Sequence, residues 1–308
     1  MLRLSLLAIV AVASVPAAVR AQGPSALYPD SATFAFGLDV KAAVNSPLGK
    51  KVIGQDKPHA AMRKLLATLF PEDVFRLTEK SLQPLETVAN RLDRVTIVGD
   101  LDFRGGHPPM VAFLEGDIAE DEYFKAAEAI AAAERKTFDT ECIGERKLFV
   151  INKNRSPVYG LSVNKSLFLL STERTLIDEV LEKHAGKRKA TTQKELADML
   201  KKVKPAETPI WLVVGRMEML TNVSGGIATI ALKDNADFRM EVLCDNEDAA
   251  RGIVGVFEAV TGYLTVTKTP QGKLWNAAAL VARQNGNTAI MEGSIPGKLL
   301  AENYAKQK

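Results

Sequence analysis

Ala112-Phe113-Leu114-Glu115-Gly116-Asp117-Ile118-Ala119-Glu120 and Met240-Glu241-Val242-Leu243-Cys244-Asp245-Asn246-Glu247-Asp248 share one plan. In each, a stretch of alternating character runs into an aspartate, two spacers and a second acidic residue. Helical periodicity follows at once. A carboxylate at that point satisfies exposed backbone N–H groups and suits the positive end of the helix dipole. Asp117 and Asp245 are therefore expected to open helices. Each stretch is preceded by a hairpin pattern and followed by further strands, which points to a duplicated ββαββ-like unit; two unrelated uses of common capping chemistry are the competing reading. The fold class expected is α+β: two related modules, each an antiparallel sheet with helices packed on one face.

Outward from the first stretch, residues 94–101 and 110–117 alternate in polarity. They flank Phe103-Arg104-Gly105-Gly106-His107-Pro108-Pro109, which is turn chemistry, so the pair reads as a hairpin. A helix is predicted to about 135, with Tyr123, Phe124, Ala127 and Ile130 inward. Strands follow at 147–151, 157–163 and 166–171, then a helix capped by Thr172 and running to about 183. Upstream, Phe34, Phe36, Leu38 and Val40 mark a strand over 33–40, and helices are predicted over 59–70 and 72–92.

Around the second stretch, Thr192 and Glu195 form a capping box for a helix to about 203. A strand at 209–215 and a hairpin of 226–233 with 236–245 come next. Ile253, Val254, Phe257, Val260 and Leu264 then define a helix. A second hairpin pairs 274–283 with 288–295 across Asn285-Gly286, and a closing helix covers 296–306.

The chain begins Met1-Leu2-Arg3, continues apolar through residue 19, and reaches Ala17-Ala18-Val19-Arg20-Ala21. That order is an export signal with cleavage after Ala21. Its apolar run is shorter than the ~20 residues of a spanning helix; an uncleaved anchor is the competing reading. No later run is long enough to cross a membrane. The modules are then 22–186 and 187–308, divided in the basic stretch Lys183-His184-Ala185-Gly186-Lys187-Arg188-Lys189-Ala190-Thr191. The formal charge is +3, and loss of Arg3 and Arg20 brings it nearer neutrality. Such a chain has no electrostatic reason to seek nucleic acid.

Tyr28-Pro29-Asp30-Ser31-Ala32-Thr33-Phe34-Ala35-Phe36-Gly37-Leu38-Asp39-Val40, followed by Ser46-Pro47-Leu48-Gly49-Lys50, resembles the opening of uncharacterised exported bacterial proteins. These are common in planctomycete-like bacteria and repeat hairpin–helix units. The resemblance implies a periplasmic or secreted setting and a duplicated α+β fold. It carries over no catalytic residue.

Chemistry-bearing residues are sparse. His59, His107 and His184 stand apart, with no i,i+4 metal-binding pair, and no Gly-x-Ser-x-Gly elbow is present. Gly293-Ser294-Ile295-Pro296-Gly297-Lys298 departs from a phosphate loop in glycine spacing and in Leu299, and reads as a strand-to-helix turn. Ser224-Gly225-Gly226 and Gly105-Gly106 read as turns. Asp100, Asp102, Glu115 and Asp117 would form a hard-cation cluster if the hairpin aligned them; a solvated face is the plainer reading. The basic residues from Lys183 to Lys204 lack interleaved aromatics and read as a linker and helix face. Cys142 and Cys244 are compatible with a disulfide, given export, or with two free thiols, Cys244 falling on an apolar strand face. No residue is assigned a catalytic, cofactor-binding or metal-ligating role. The expected function is a non-catalytic exported protein that binds a protein partner or an apolar small ligand. The alternatives are an exported hydrolase with an unrecognised site and a self-assembling envelope component.

Overall fold

The computed structural model describes residues 24–53, 88, 91–101, 108–152, 157–189, 191–218, 220–266 and 270–305. The expected export signal, the helix over 59–70, most of that over 72–92 and the 102–107 turn lie outside them. In chain order the elements begin β1 (Phe34–Asp39), α1 (Val40–Asn45), α2 (Pro47–Ile53), β2 (Leu92–Gly99), β3 (Met110–Gly116) and α3 (Glu120–Ala133). Next come β4 (Phe138–Ile143), β5 (Arg146–Ile151), β6 (Val158–Asn164), β7 (Leu167–Ser171) and α4 (Arg174–His184). The rest are α5 (Lys194–Leu200), β8 (Ile210–Val214), β9 (Val223–Leu232), β10 (Ala236–Cys244), α6 (Glu247–Val266), α7 (Pro270–Ala277), β11 (Val281–Asn285), β12 (Thr288–Ile295) and α8 (Gly297–Ala305). The strands are antiparallel and the chain is α+β.

Two compact units form: Met1–Ala32 with Glu72–Thr192, and Thr33–Pro71 with Gln193–Lys308. The expected boundary at 186/187 falls close to the break after Thr192, but residues 33–53 change sides. They were expected in the N-terminal module and belong to the second unit. The cause is β1, which pairs with β8 from Phe34↔Val214 to Leu38↔Ile210. Strand pairing follows edge complementarity and is indifferent to sequence distance.

Strand order in the first unit includes β2-β3-β7-β6, and in the second β9-β10-β12-β11. Each run is a hairpin, a helix, a second hairpin whose last strand returns beside the strand before the helix, and a final helix. The first unit adds β4 and β5 after its helix; the second has α7 there.

Helices cover both faces of each sheet, which corrects the expectation of one. β7 is buried at every position and β3 at all but one, and a strand buried throughout needs cover on both sides. On one side Tyr123 of α3 stacks on Phe168, with centroids 3.9 Å apart, and Phe124 meets Phe149 edge-on at 5.3 Å. On the other side Tyr28 lies 5.5 Å from Phe113, next to α4, which buries Ile177 and Val180. In the second unit α6 packs Phe257 on the side of Phe238, Met240 and Val242. α5 places Leu196 against Gly215, on the opposite side.

Other local expectations shift. β4 was not anticipated: it is a half-exposed strand paired only with β5. Residues 274–277 are helical rather than strand, because Pro270 starts α7 and Leu274 is buried while Trp275 meets Phe238 edge-on at 5.7 Å. Asp117 does not cap α3; the Ala119 N–H donates to Glu122 Oε2 at 3.0 Å instead. Asp245 accepts from Arg216 Nη2 at 2.8 Å and from Ser224 Oγ, and Asn246 takes the capping role, its Oδ1 accepting from Ala249 N at 2.8 Å. Thr172 Oγ1 accepts from Met110 N at 3.0 Å, and Thr192 Oγ1 donates to Ser25 O at 3.3 Å. Asp245, Thr172 and Thr192 thus each found a partner in tertiary structure rather than in a helix of their own.

Two details set stability. Gly37 lies opposite Trp211, and Gly160 opposite Phe149, so an aromatic ring occupies the missing side chain's place in each unit. The second detail is Lys183, whose side chain is 1 % exposed. Its ammonium donates to Tyr28 O, to Asp30 Oδ1 at 2.5 Å and to Glu179 Oε1 at 3.0 Å. Glu179 Oε1 also accepts from Asp30 N at 2.7 Å, and Arg188 Nη2 donates to Asp30 Oδ2 at 2.5 Å. Partial desolvation works against the Asp30 carboxylate, yet hydrogen bonds from Lys183, Thr191 and Arg188 hold it well below the usual carboxylate range.

A Cβ at Gly37 would fall 2.0 Å from the Trp211 ring. Gly37→Ala is therefore expected to lower unfolding free energy by about 1–3 kcal/mol, the usual cost of overpacking, in urea titrations. Asp30→Ala should cost about 1–3 kcal/mol at pH 7, less than a fully buried pair because Asp30 is part-exposed. Asp30's folded value is depressed, so its stabilisation is complete above its unfolded pKa of about 4 and fades as pH falls further. The gap between wild type and Asp30→Ala should thus narrow between pH 5 and pH 2; a pH-independent gap would contradict the charge argument.

Candidate functional site

In the first unit the C-terminal end of β3 runs through Asp117 and Ile118 into the first turn of α3. Beside it stand the β4–β5 turn at Gly144 and Glu145 and the end of β6 at Val163 and Asn164. These ends frame a cleft of about 890 Å³, within the size range of small-molecule sites. Its apolar wall is Ile118, Ile143 and Val163, of which Ile118 and Val163 are buried.

A bulge shapes one side. The β6–β7 register slips between Ser162 and Asn164, which turns backbone carbonyls away from the ladder. Arg146 Nη1 repairs this by donating to Ser162 O at 3.2 Å and to Val163 O. The turn beyond is held by Asn164 Oδ1, which accepts from Ser166 N at 2.9 Å. Arg91 is fixed by Glu122, with Nη1 2.7 and 2.6 Å from its two oxygens. Glu122 thereby both anchors Arg91 and accepts from Ala119 N at the start of α3.

The remaining rim charges have no ion-pair partner among the described residues: Arg146 and Lys165 on the cationic side, Asp117, Glu120 and Glu145 on the anionic side. Such a rim can accept a ligand with an apolar body and charged groups. No group of three His, Cys, Asp or Glu able to hold a metal occurs among the described residues.

The residues singled out in the sequence do not converge. His59, His107, Asp102 and Gly105-Gly106 lie outside the described residues. His184 ends α4, exposed. Asp100 sits beside Pro109 at one end of the β2–β3 ladder, whereas Glu115 pairs with Arg94 at the other end, so the carboxylate cluster does not form. Ser224-Gly225-Gly226 opens β9, and Gly297 begins α8 with its N–H donating to Asn235 Oδ1 at 3.1 Å. Most of the basic run is occupied locally: Lys194 and Lys201 bond Asp198, Lys204 meets Glu207, and Lys183 and Arg188 bond Asp30. A smaller pocket of about 160 Å³ beside Lys202 and Thr229 is lined by Arg239, which is already paired with Glu241 and Glu292. Both cysteines are free thiols, Cys142 exposed on β4 and Cys244 buried. No described helix is long and apolar enough to cross a membrane.

The fold thus defines a class: an antiparallel α+β protein of two units with the same strand order, one of them carrying an open cleft. The chain matches no protein-family model and no curated protein. Among solved structures it is similar to crystal form III of TP0453, a Treponema protein, with a TM-score of 0.53 and 8% identity over 94% of this chain and 100% of that one. Crystal form I of the same protein gives 0.46 over 91% and 95%, also at 8% identity. The likeness is one of fold.

Burial raises the Cys244 thiol pKa, with a further push from Asp245. Cys142 should therefore react with a thiol reagent in the native protein at pH 8, and Cys244 only after unfolding. Two native thiols titrating together, or none, would contradict this placement.

Proposed function

We propose that the chain is an exported, non-catalytic binding protein and that the first-unit cleft receives a small ligand with an apolar body and charged ends. The observation that carries this reading is the composition of the cleft: an apolar wall at Ile118, Ile143 and Val163 beneath Arg146, Lys165, Asp117, Glu120 and Glu145, which have no ion-pair partner among the described residues. Ionic groups at a rim cost little while hydrated, and a ligand that replaces their water gains orientation from them. The wall supplies affinity through burial, at roughly 25 cal/mol per Å² of apolar area. Arg146 is held on the bulge, so the cleft needs little reorganisation to bind. Export is supported by the order of charge, apolar run and small residues in 1–21, and by the resemblance of residues 28–50 to exported bacterial proteins. The matching strand orders support duplication of one ββαββα unit within the chain.

Protein exported by its own signal and purified without detergent should show, in native mass spectra, an added mass that denaturation removes. Ile143→Trp, which adds bulk to the cleft at a half-exposed position, should abolish that added mass while leaving the thermal transition within a few degrees. A wild-type protein of bare polypeptide mass, or an adduct that survives Ile143→Trp, would overturn the reading. The denaturing mass also reports whether cleavage follows Ala21.

A further inference from the structure

α6 turns its back on water in an unusual way. Ala250, Ile253, Val254 and Phe257 face the sheet. The opposite side should be polar in a surface helix, yet Gly252, Gly255 and Ala259 run down its middle, all exposed. Val256, Val260 and Tyr263 form one edge and are 55%, 42% and 69% exposed. Arg251 and Glu258, one heptad apart, form the other edge. No described residue lies within 4 Å of the Cβ positions of Gly252 and Gly255, so another backbone can approach closely along that line.

We propose that this face pairs with α6 of a second copy of the chain, antiparallel, across a two-fold axis between Gly255 and Val256. A two-fold axis there keeps each edge on its own side. The apolar edge of one copy meets the apolar edge of the other, with Val256 beside the second copy's Val256. The middle places Gly252 opposite Ala259. On the remaining edge Arg251, which also bonds Asp248 of its own helix at 3.1 Å, comes beside the second copy's Glu258, and Glu258 beside its Arg251, within about two residues' rise of one another. The face is thus self-complementary in shape and in charge, as an isologous contact requires.

A lipid surface fits less well. The helix begins Glu247-Asp248, contains Glu258, and carries no lysine, whereas interfacial helices place cations along the polar face. One helix pair buries less than the ~1,200 Å² of standard interfaces. The dimer is therefore weak.

Sedimentation velocity of the full chain from about 10 μM to 1 mM tests this. The wild type should pass from monomer to dimer within that range. Val256→Glu, at an exposed position, should weaken association at least tenfold. Arg251→Glu and Glu258→Arg should each weaken it about fivefold, since two symmetric pairs are reversed, and the double charge swap should restore it. In a Cys142→Ser background, Val256→Cys should form disulfide-linked dimers under mild oxidation and Tyr263→Cys should not, because only the former lies near its own copy. A monomer at every concentration, or a double swap as weak as either single variant, would overturn the proposal. Wild-type binding to phosphatidylcholine vesicles that Val256→Glu abolishes would likewise overturn it and assign the face to lipid.

Discussion

β3 and β7 bring apolar side chains to both sides of the first unit's sheet, and most of that unit is arranged to cover them. α3 supplies Tyr123 and Phe124 to one side. The other side takes α4 and the lead-in residues 24–32, whose Tyr28 ring lies against Phe113. Covering a sheet with a short, irregular segment is unfavourable unless that segment is tied down, because its backbone entropy costs about 1–2 kcal/mol per residue. Lys183 is the tie. Its buried ammonium gathers Tyr28 O, Asp30 and Glu179 at one point, and the same carboxylates hold Arg188. The charge is tolerable only because its neighbours neutralise it, so the clamp and the cover depend on each other. Burial raises the Tyr28 phenol pKa as well, consistent with its place beneath that cover.

The pattern of the sequence revealed the strands well and their neighbours poorly. Alternation at 110–117 and 236–245 gives β3 and β10 to within a residue. Leu167-Phe168-Leu169-Leu170 lacks alternation and in hindsight announces burial on both sides. Nothing in residues 34–39 says that their partner is 210–214, because pairing is decided by which edge is open once the rest has folded. The aspartates at 117 and 245 show the same limit from the polar side. Their chemistry is that of helix caps, but a residue at a strand end has other claimants, and Arg216 with Ser224 captured Asp245.

The cleft was less legible still. Its residues come from the ends of three strands and one helix, none of which carries a motif. Asp117 was noticed, although as a cap. Arg146 and Val163 were not, since their importance comes from a bulge, and a bulge is a property of two strands in register. The one sequence signal was the break between the strands predicted at 157–163 and 166–171, whose residues Asn164 and Lys165 stand at the rim.

The two units share a strand order, so their differences carry the functional argument. The first unit inserts β4 and β5 after its helix, and Ile143, Gly144, Glu145 and Arg146 come from that insertion or its turn. Without it the bulged end of β6 would have no Arg146 to bind its carbonyls and no wall facing α3. Among the described residues the second unit has no such strands. Its helix is longer, α7 occupies the equivalent stretch, and α6 leaves Val256, Val260 and Tyr263 exposed along one edge. On the proposed readings, a scaffold whose strand order recurs carries a cleft in one unit and a helix face for pairing in the other, so the two tasks do not compete for one surface. Ligand capture would then be tuned through β4, β5 and their turn, and association through α6, without either change disturbing the strand order common to both.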